Sequence, residues 1–166
     1  MIIRPETPAD YAIIGEILLA AFAAEPHSRQ TEPLIVEALR AAGALTIGLV
    51  AEEEGIVTGH IAFSPAKING EDCGWYLLGP VAVAPSRQRH GIGGALIREG
   101  LRQLRALGAK GCALVGHPGY YGRFGFRHLA ELTMAGIPPE VFFCLPLGEP
   151  VPRGVVSHHE AFLTGL

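Results

Sequence analysis

The spacing of apolar residues switches between a helical and a strand-like period along this chain. Ile13, Ile14, Ile17, Leu18, Ala21 and Phe22 recur at helical spacing. Thr7-Pro8-Ala9-Asp10 stands in front of them as a start signal. Thr7 is placed to cap, Pro8 to occupy the first helical position, and Asp10 to act as a short capping-box acid. Pro26 closes this helix. A second is predicted from about Glu32 to Ala42, with Leu34, Ile35, Ala38 and Leu39 on one face and Gly43 after its end. The pattern then becomes strand-like. Met1 to Arg4 already reads as a short strand. Leu45 to Ala51 and Val57 to Ser64 flank a Glu54-Gly55 turn, and Trp75 to Val83 follows an Asn69-Gly70 turn. Ala95 to Leu107 is an amphipathic helix and Cys112 to Val115 a short buried strand. After a further helix come His128 to Met134 and Val141 to Leu147, strand-like among prolines. The predicted order is β-α-α-β-β-β-α-β-α-β-β. Hairpins on one side and a β-α-β unit on the other imply an α/β (α+β) fold with a central mixed sheet and helices on both faces.

Composition narrows the class. A chain of 166 residues is expected to form a single domain, 1–166, large enough for a substantial core. The net charge of −3 argues against a general nucleic-acid binder. Cys73, Cys112 and Cys144 are scattered and odd in number, which suits free thiols in a reducing compartment. Arg4, Glu6 and Asp10 interrupt any leader-like apolar run, and no apolar stretch reaches the roughly 20 residues that span a bilayer. A soluble, cytoplasmic protein without membrane contact is expected. The histidines lack a tight spacing with Cys, Asp or Glu, so no metal site is expected.

The chemistry concentrates in Gln88-Arg89-His90-Gly91-Ile92-Gly93-Gly94, between a strand and a helix. A helix N-terminus offers unpaired amides and the positive end of the macrodipole, and glycines let backbone approach a ligand closely. Phosphate is the natural occupant, with Arg87 and Arg89 as charged helpers. The loop is not a nucleotide-triphosphate loop, because Gly94-Ala95 supplies no Gly-Lys-Ser/Thr. Nor is it a dinucleotide fingerprint: the third glycine position holds Leu96, and Gly111-Cys112 stand where an acid is required.

Gln-x-x-Gly-x-Gly after Val81-Ala82-Val83-Ala84-Pro85 resembles the acyl-CoA-binding motif of the GNAT N-acetyltransferase superfamily. Downstream, His117-Pro118-Gly119-Tyr120-Tyr121-Gly122-Arg123-Phe124-Gly125-Phe126 looks like the family's Tyr-x-x-x-Gly-Phe segment and is similar to the YhbS-like bacterial subgroup. The order of elements from Ile2 to Leu147 also matches that fold. The resemblance implies an acetyl-CoA-dependent transfer of acetyl to a primary amine by direct attack in a ternary complex. A catalytically inactive acyl-CoA-binding module and a longer-chain acyltransferase are the alternatives. It further implies that the strand before the loop splays from its neighbour. Val81, Ala82 and Val83 then line the pantetheine, with main-chain groups of Val81 and Val83 meeting its amides. The loop residues Gln88, Arg89, His90, Gly91, Ile92, Gly93 and Gly94 hold the pyrophosphate. Tyr121 matches the tyrosine that serves as general acid in many family members, near the sulfur at the start of the helix after Cys112–Val115; an ordinary phenol is less acidic than a thiol, so a hydrogen bond to the developing thiolate is expected. Tyr120 reads as core. His117 stands close to where many relatives carry an asparagine, and so becomes a candidate pantetheine contact. A homodimer is compatible with the family.

The base is not singled out. Glu52, Glu53 and Glu54 read as a solvated charge run, and His60 as a satisfied core histidine. Glu25, His27 and Glu32 fall in the helix connection that often lines the acceptor site, and His158-His159 is placed either there or on a terminal surface. Trp75 and the Phe142-Phe143 pair read as core.

Overall fold

In a computed structural model that describes residues 1–165, one mixed sheet organises the chain. Its strands are β1 (Ile2–Pro5), β2 (Ile47–Glu53), β3 (Ile56–Ile68), β4 (Glu71–Val83), β5 (Gly111–Val115), β6 (Leu132–Met134), β7 (Phe142–Pro146) and β8 (Gly154–Ser157). The helices are α1 (Tyr11–Phe22), α2 (Glu32–Ala41) and α3 (Ile92–Ala106). The main path runs β1-β2-β3-β4-β5-β7, antiparallel except for the parallel β4–β5 contact, while β8 joins the end of β3 and pairs in parallel with β6.

Strand alternation decides which helix covers which face. Leu49, Ala51, Ile61 and Phe63 point to α3, where Ile92, Leu96, Ile97, Leu101 and Leu104 close the core. Their neighbours Val50 and Ala82 point the other way, against Ile14, Ile17, Leu18 and Val36 of α1 and α2. Phe142 and Phe143 alternate likewise, each buried in the core of a different face, and Trp75 is buried beside Ala66, Leu77 and Cys144. Gly100 marks a tight approach of α3 to the sheet, since a Cβ there would lie on the Phe63 ring.

Both hairpin turns form where the sequence put them: Glu54-Gly55 and Asn69-Gly70 are all at positive φ, the geometry of the favoured two-residue turns. Four expectations change. The first helix opens as a short 3-10 turn over Pro8–Asp10, and the Asp10 carboxylate accepts the Thr7 amide at 2.8 Å. The element expected as a helix after β5 is a four-residue 3-10 turn, Tyr121–Phe124, ended by Gly125 at φ +96°. The tail strands are shorter than their apolar runs, at Leu132–Met134 and Phe142–Pro146. A further strand, β8, forms after Arg153, where Asn69 receives its Val155 amide and donates to the Arg153 carbonyl.

Candidate active site at the opening between two strands

The parallel contact between β4 and β5 lasts for three pairs, Trp75–Gly111, Tyr76–Cys112 and Leu77–Ala113. Beyond Leu77 the strands part. At that point the β3–β4 register shifts between Ile61–Val81 and Phe63–Leu78, so Gly79 and Pro80 form a bulge. A bulge bends its strand and ends regular pairing, which turns β4 away from β5. After it, β4 remains paired with β3 alone, through Val81, Ala82 and Val83 against Ile61, His60 and Gly59. The Ala84 amide donates to the Thr58 carbonyl at 2.8 Å. Alternate residues of an antiparallel ladder turn both main-chain groups to the same neighbour. Ala82 therefore serves β3, and Val81 and Val83 present their amides and carbonyls to the open side. The Val83 carbonyl is already taken, because Gln88 Nε2 donates to it at 3.1 Å. Gln88 thus ties the loop to the strand through its side chain.

The loop that follows is shaped to expose amides. Arg89 (φ +67°) and Gly91 (φ +81°) adopt left-handed conformations, and Gly91 caps α3. Among the described residues the amides of Arg89, His90 and Gly91 have no hydrogen-bond acceptor. The first turn of α3, from Ile92 through Gly94, adds the amides that every helix leaves without intrahelical partners. Successive free N–H groups of this kind form a concavity for an anion. The His90 ring is occupied locally, donating from Nδ1 to the Gln88 carbonyl at 2.8 Å. Arg89 is exposed and Arg87 is not free: it forms a forked pair with Glu53, at 2.9 Å from Nε and 2.8 Å from Nη2. Arg87 is therefore withdrawn from the phosphate helpers, and the charge run at Glu52–Glu54 is not simply solvated, since Glu52 also accepts from Arg4 at 3.1 Å. The pairing lowers the Glu53 carboxyl below its ordinary range.

Tyr121 lies across the far wall of this opening. Its ring packs on Gly116, where a Cβ would stand 2.5 Å from Cε2, and makes edge contacts with Tyr120 and Phe126. Burial, with a smaller contribution from Tyr120, pushes the Tyr121 phenol up to about 12. Its hydroxyl has no protein partner among the described residues and is not among the sealed polar atoms, so it is available to a ligand. Tyr120, expected in the core, is half-buried instead: its hydroxyl lies 3.7 Å from where a Gly93 Cβ would be, beside the loop. His117 follows Gly116, is exposed, and faces Glu25 of the α1–α2 connection at 3.5 Å. Two residues assigned separately from sequence, one to the cofactor and one to the acceptor, are thus neighbours.

The remaining candidates have structural employment, except His27, which is exposed. His60 is fully buried and its Nε2 donates to Glu6 at 2.8 Å, while its Nδ1 has no partner among the described residues. The histidine read as satisfied is therefore only half so. Arg40 forks onto the same carboxylate at 2.7 and 3.0 Å. Burial alone would raise Glu6, but hydrogen bonds from His60 and Arg40 outweigh it and hold the carboxyl at about 2. Glu32 accepts from Ser28 at 2.8 Å. His159 accepts the Ala161 amide at 3.0 Å as a cap, and His158 stacks on Phe162. Cys73, Cys112 and Cys144 are free thiols. Among the described residues no cluster of three His, Cys, Asp or Glu is placed to hold a metal, and no helix is long and apolar enough to cross a membrane.

Known proteins share this fold. Residues 45–128, from β2 to just past the Tyr121 turn, match the acetyltransferase (GNAT) domain. The chain is 38% identical over 132 residues to the uncharacterized N-acetyltransferase YhbS of Escherichia coli (strain K12), covering 79% of this chain and 76% of that one. The crystal structure of Escherichia coli YhbS in complex with CoA superimposes with a TM-score of 0.88 at 34% identity, over 99% of this chain and 93% of that one. A GNAT family acetyltransferase from Brucella melitensis, in complex with acetyl-CoA, gives 0.87 at 53% identity over 97% of both chains. An open β4 edge, a glycine-rich helix start and a tyrosine across the gap are thus set in a fold shared along almost the whole chain, and the chain belongs to the GNAT family of acetyltransferases.

Proposed function

We propose that this protein moves the acetyl group of acetyl-CoA to a primary amine by direct attack in a ternary complex. The observation that carries the reading is the outward-facing backbone of Val81 and Val83 beside the free amides of the α3 loop. Unpaired main-chain groups in a cleft need partners. Pantetheine offers amides at a strand-like spacing and the pyrophosphate offers anionic oxygens. In this reading the Val81 amide and carbonyl and the Val83 amide take the pantetheine. The amides from Arg89 to Gly94 take the pyrophosphate. The complexes of the two similar proteins with CoA and acetyl-CoA support the same ligand.

Attack forms a carbon–nitrogen bond at the thioester carbonyl and places charge on its oxygen. A backbone amide between Val81 and Val83 stabilises that oxyanion. Collapse breaks the carbon–sulfur bond, and the departing thiolate accepts a hydrogen bond from the Tyr121 hydroxyl. The nitrogen gives up its extra proton to solvent, which completes the amide, and CoA leaves as its thiolate. The acceptor must be neutral when it attacks, although a lysine-like amine has a pKa near ~10.4. His117 and Glu25 stand at the mouth, where a carboxylate can draw in a cationic amine and an imidazole can take its proton.

The test is free-thiol release from acetyl-CoA across a panel of polyamines, aminoglycosides, lysine peptides and peptide N-termini. Amine-dependent turnover supports the reading. Acetyl-CoA binding without turnover on any amine sinks the catalytic half, and failure to bind acetyl-CoA sinks all of it.

A further inference from the structure

Val115, the last residue of β5, is 46% exposed although the rest of its strand is buried. Alternation puts it on the face of Ala113 and away from Leu114, which is the face opposite α3. Its partner across the ladder is Phe142, on the same face and one strand spacing away, about 5 Å. Phe142 in turn forms a wall of a small pocket of about 90 Å³, with His128, Leu129, Leu132, Met134 and Ile137 around it. An apolar surface therefore leads from the open end of the β4–β5 gap to this pocket. His117 follows Val115 by two residues and meets Glu25 at 3.5 Å, so that pair stands at the same end.

The pocket is apolar and keeps its shape. No Asp, Glu, Lys or Arg among the described residues lines it. His128 Nδ1 donates to the Phe142 carbonyl at 3.1 Å and its ring stacks on Phe143 at 4.7 Å, which holds one wall to β7. The loop that carries Ile137 is tightly turned. Gly136 stands at φ +76°, the Ile137 amide donates to the Met134 carbonyl at 3.1 Å, and Pro138 and Pro139 restrict the chain that follows. A preformed apolar pocket takes an apolar group with little ordering cost. A cation entering it would lose its water and find no carboxylate. A cavity of roughly 150 Å³ takes the six carbons of benzene, so 90 Å³ suits about three or four carbons.

We infer that this pocket receives a short aliphatic group borne by the amine acceptor. The inference rests on the acetyl-transfer reading above and narrows its substrate class. Glu25 draws in a single ammonium at the mouth, and the carbon chain passes over Val115 and Phe142 into the pocket. Monoamines with an aliphatic tail are thereby preferred to polyamines and aminoglycosides, whose further charges would be desolvated there.

Thiol release from acetyl-CoA is measured with straight-chain monoamines from ethylamine to octylamine and with the diamines of equal length. The wild type is compared with Ile137→Phe, which fills the pocket from its loop, and with Ile137→Ala, which enlarges it. The value of kcat/KM should rise about fourfold for each methylene that enters the pocket and then level off, and each diamine should lag its monoamine about tenfold or more. Ile137→Phe should move the plateau to shorter amines and Ile137→Ala to longer ones. A flat series, a preference for diamines, or a plateau blind to both variants overturns the pocket. An Ile137-sensitive length preference along a series from acetyl-CoA to hexanoyl-CoA, in place of the amine series, gives the pocket to the donor and also overturns it. Turnover confined to amines without an aliphatic tail overturns the pocket and leaves the transfer reading intact. If no amine at all is acetylated, the transfer reading fails, and calorimetric titration of the monoamines into the CoA-loaded protein decides the pocket. Affinity that grows with the tail and responds to Ile137 then sustains it, and affinity that does neither overturns it.

Discussion

Tyr121→Phe removes one oxygen from the proposed site and leaves its packing in place. The ring is held by Gly116, Tyr120 and Phe126, and the hydroxyl has no protein partner among the described residues. The variant should therefore unfold within about 0.5 kcal/mol of the wild type. Its effect on turnover follows from the phenol at about 12. A thiol ionises near 8.5, so full proton transfer from this phenol to the thiolate is uphill by about 3.5 units, or ~5 kcal/mol. In the proposed mechanism the phenol therefore serves as a hydrogen-bond donor to the developing thiolate, not as a free-standing acid. A hydrogen bond to a charged group contributes about 1.5–3 kcal/mol, which is roughly a ten- to hundredfold fall in kcat. The KM for acetyl-CoA should change far less, since a neutral thioester sulfur draws little from the donor. The same shift sets the pH window. A phenol raised from ~10 to about 12 stays protonated through pH 10, so ionisation of Tyr121 should produce no alkaline fall in kcat between pH 9 and 10. Steady-state thiol release from pH 6 to 10.5, with the best amine of the panel, measures both. An unchanged kcat, or an alkaline limb near pH 10 that vanishes in Tyr121→Phe, refutes the reasoning.

Glu25→Gln and His117→Ala should each weaken kcat/KM for a cationic amine several-fold while leaving acetyl-CoA affinity within twofold; equal loss of both would place the pair on the cofactor side. The Glu6 carboxyl, lowered from 4.5 to about 2, gives stability that is fully present above pH 4.5 and lost as the pH falls through about 2. Urea unfolding should show up to about 3 kcal/mol lost across that window, and Glu6→Gln should flatten the profile. Gly100→Ala puts a methyl on the Phe63 ring and should cost about 1–3 kcal/mol, whereas Gly15→Ala, with open space around it in α1, should gain about 0.5–1 kcal/mol. Thermal melts that rank the two the other way would contradict the packing described.

Local signals carried much of this protein. The Asn69-Gly70 and Glu54-Gly55 turns, the Thr7-Pro8-Ala9-Asp10 start and the glycine-rich opening of α3 are set by backbone preferences within a few residues, and all stand where the pattern put them. Local preference failed where the partner is distant. β8 is invisible in its own residues because its register comes from Asn69, over eighty positions earlier, together with β3 and β6. The turn at Tyr121–Phe124 is too short to be a helix, since Gly125 in a left-handed conformation ends it and the Tyr121 ring packs back onto Phe143 of β7.

The candidate site divides in the same way. From its sequence alone the chain declares a glycine-rich helix start, an apolar strand before it and a tyrosine downstream, because each is written in contiguous residues. Tertiary structure decided what each of them faces. The bulge at Gly79-Pro80 turns β4 from β5 and leaves Val81 and Val83 pointing into the gap. Ion pairing removes Arg87 from the phosphates, and the approach of the α1–α2 connection to the end of β5 brings Glu25 to His117. Residues 92 positions apart have no local signal of their meeting, because electrostatic partnership depends on distance in space and not on separation along the chain.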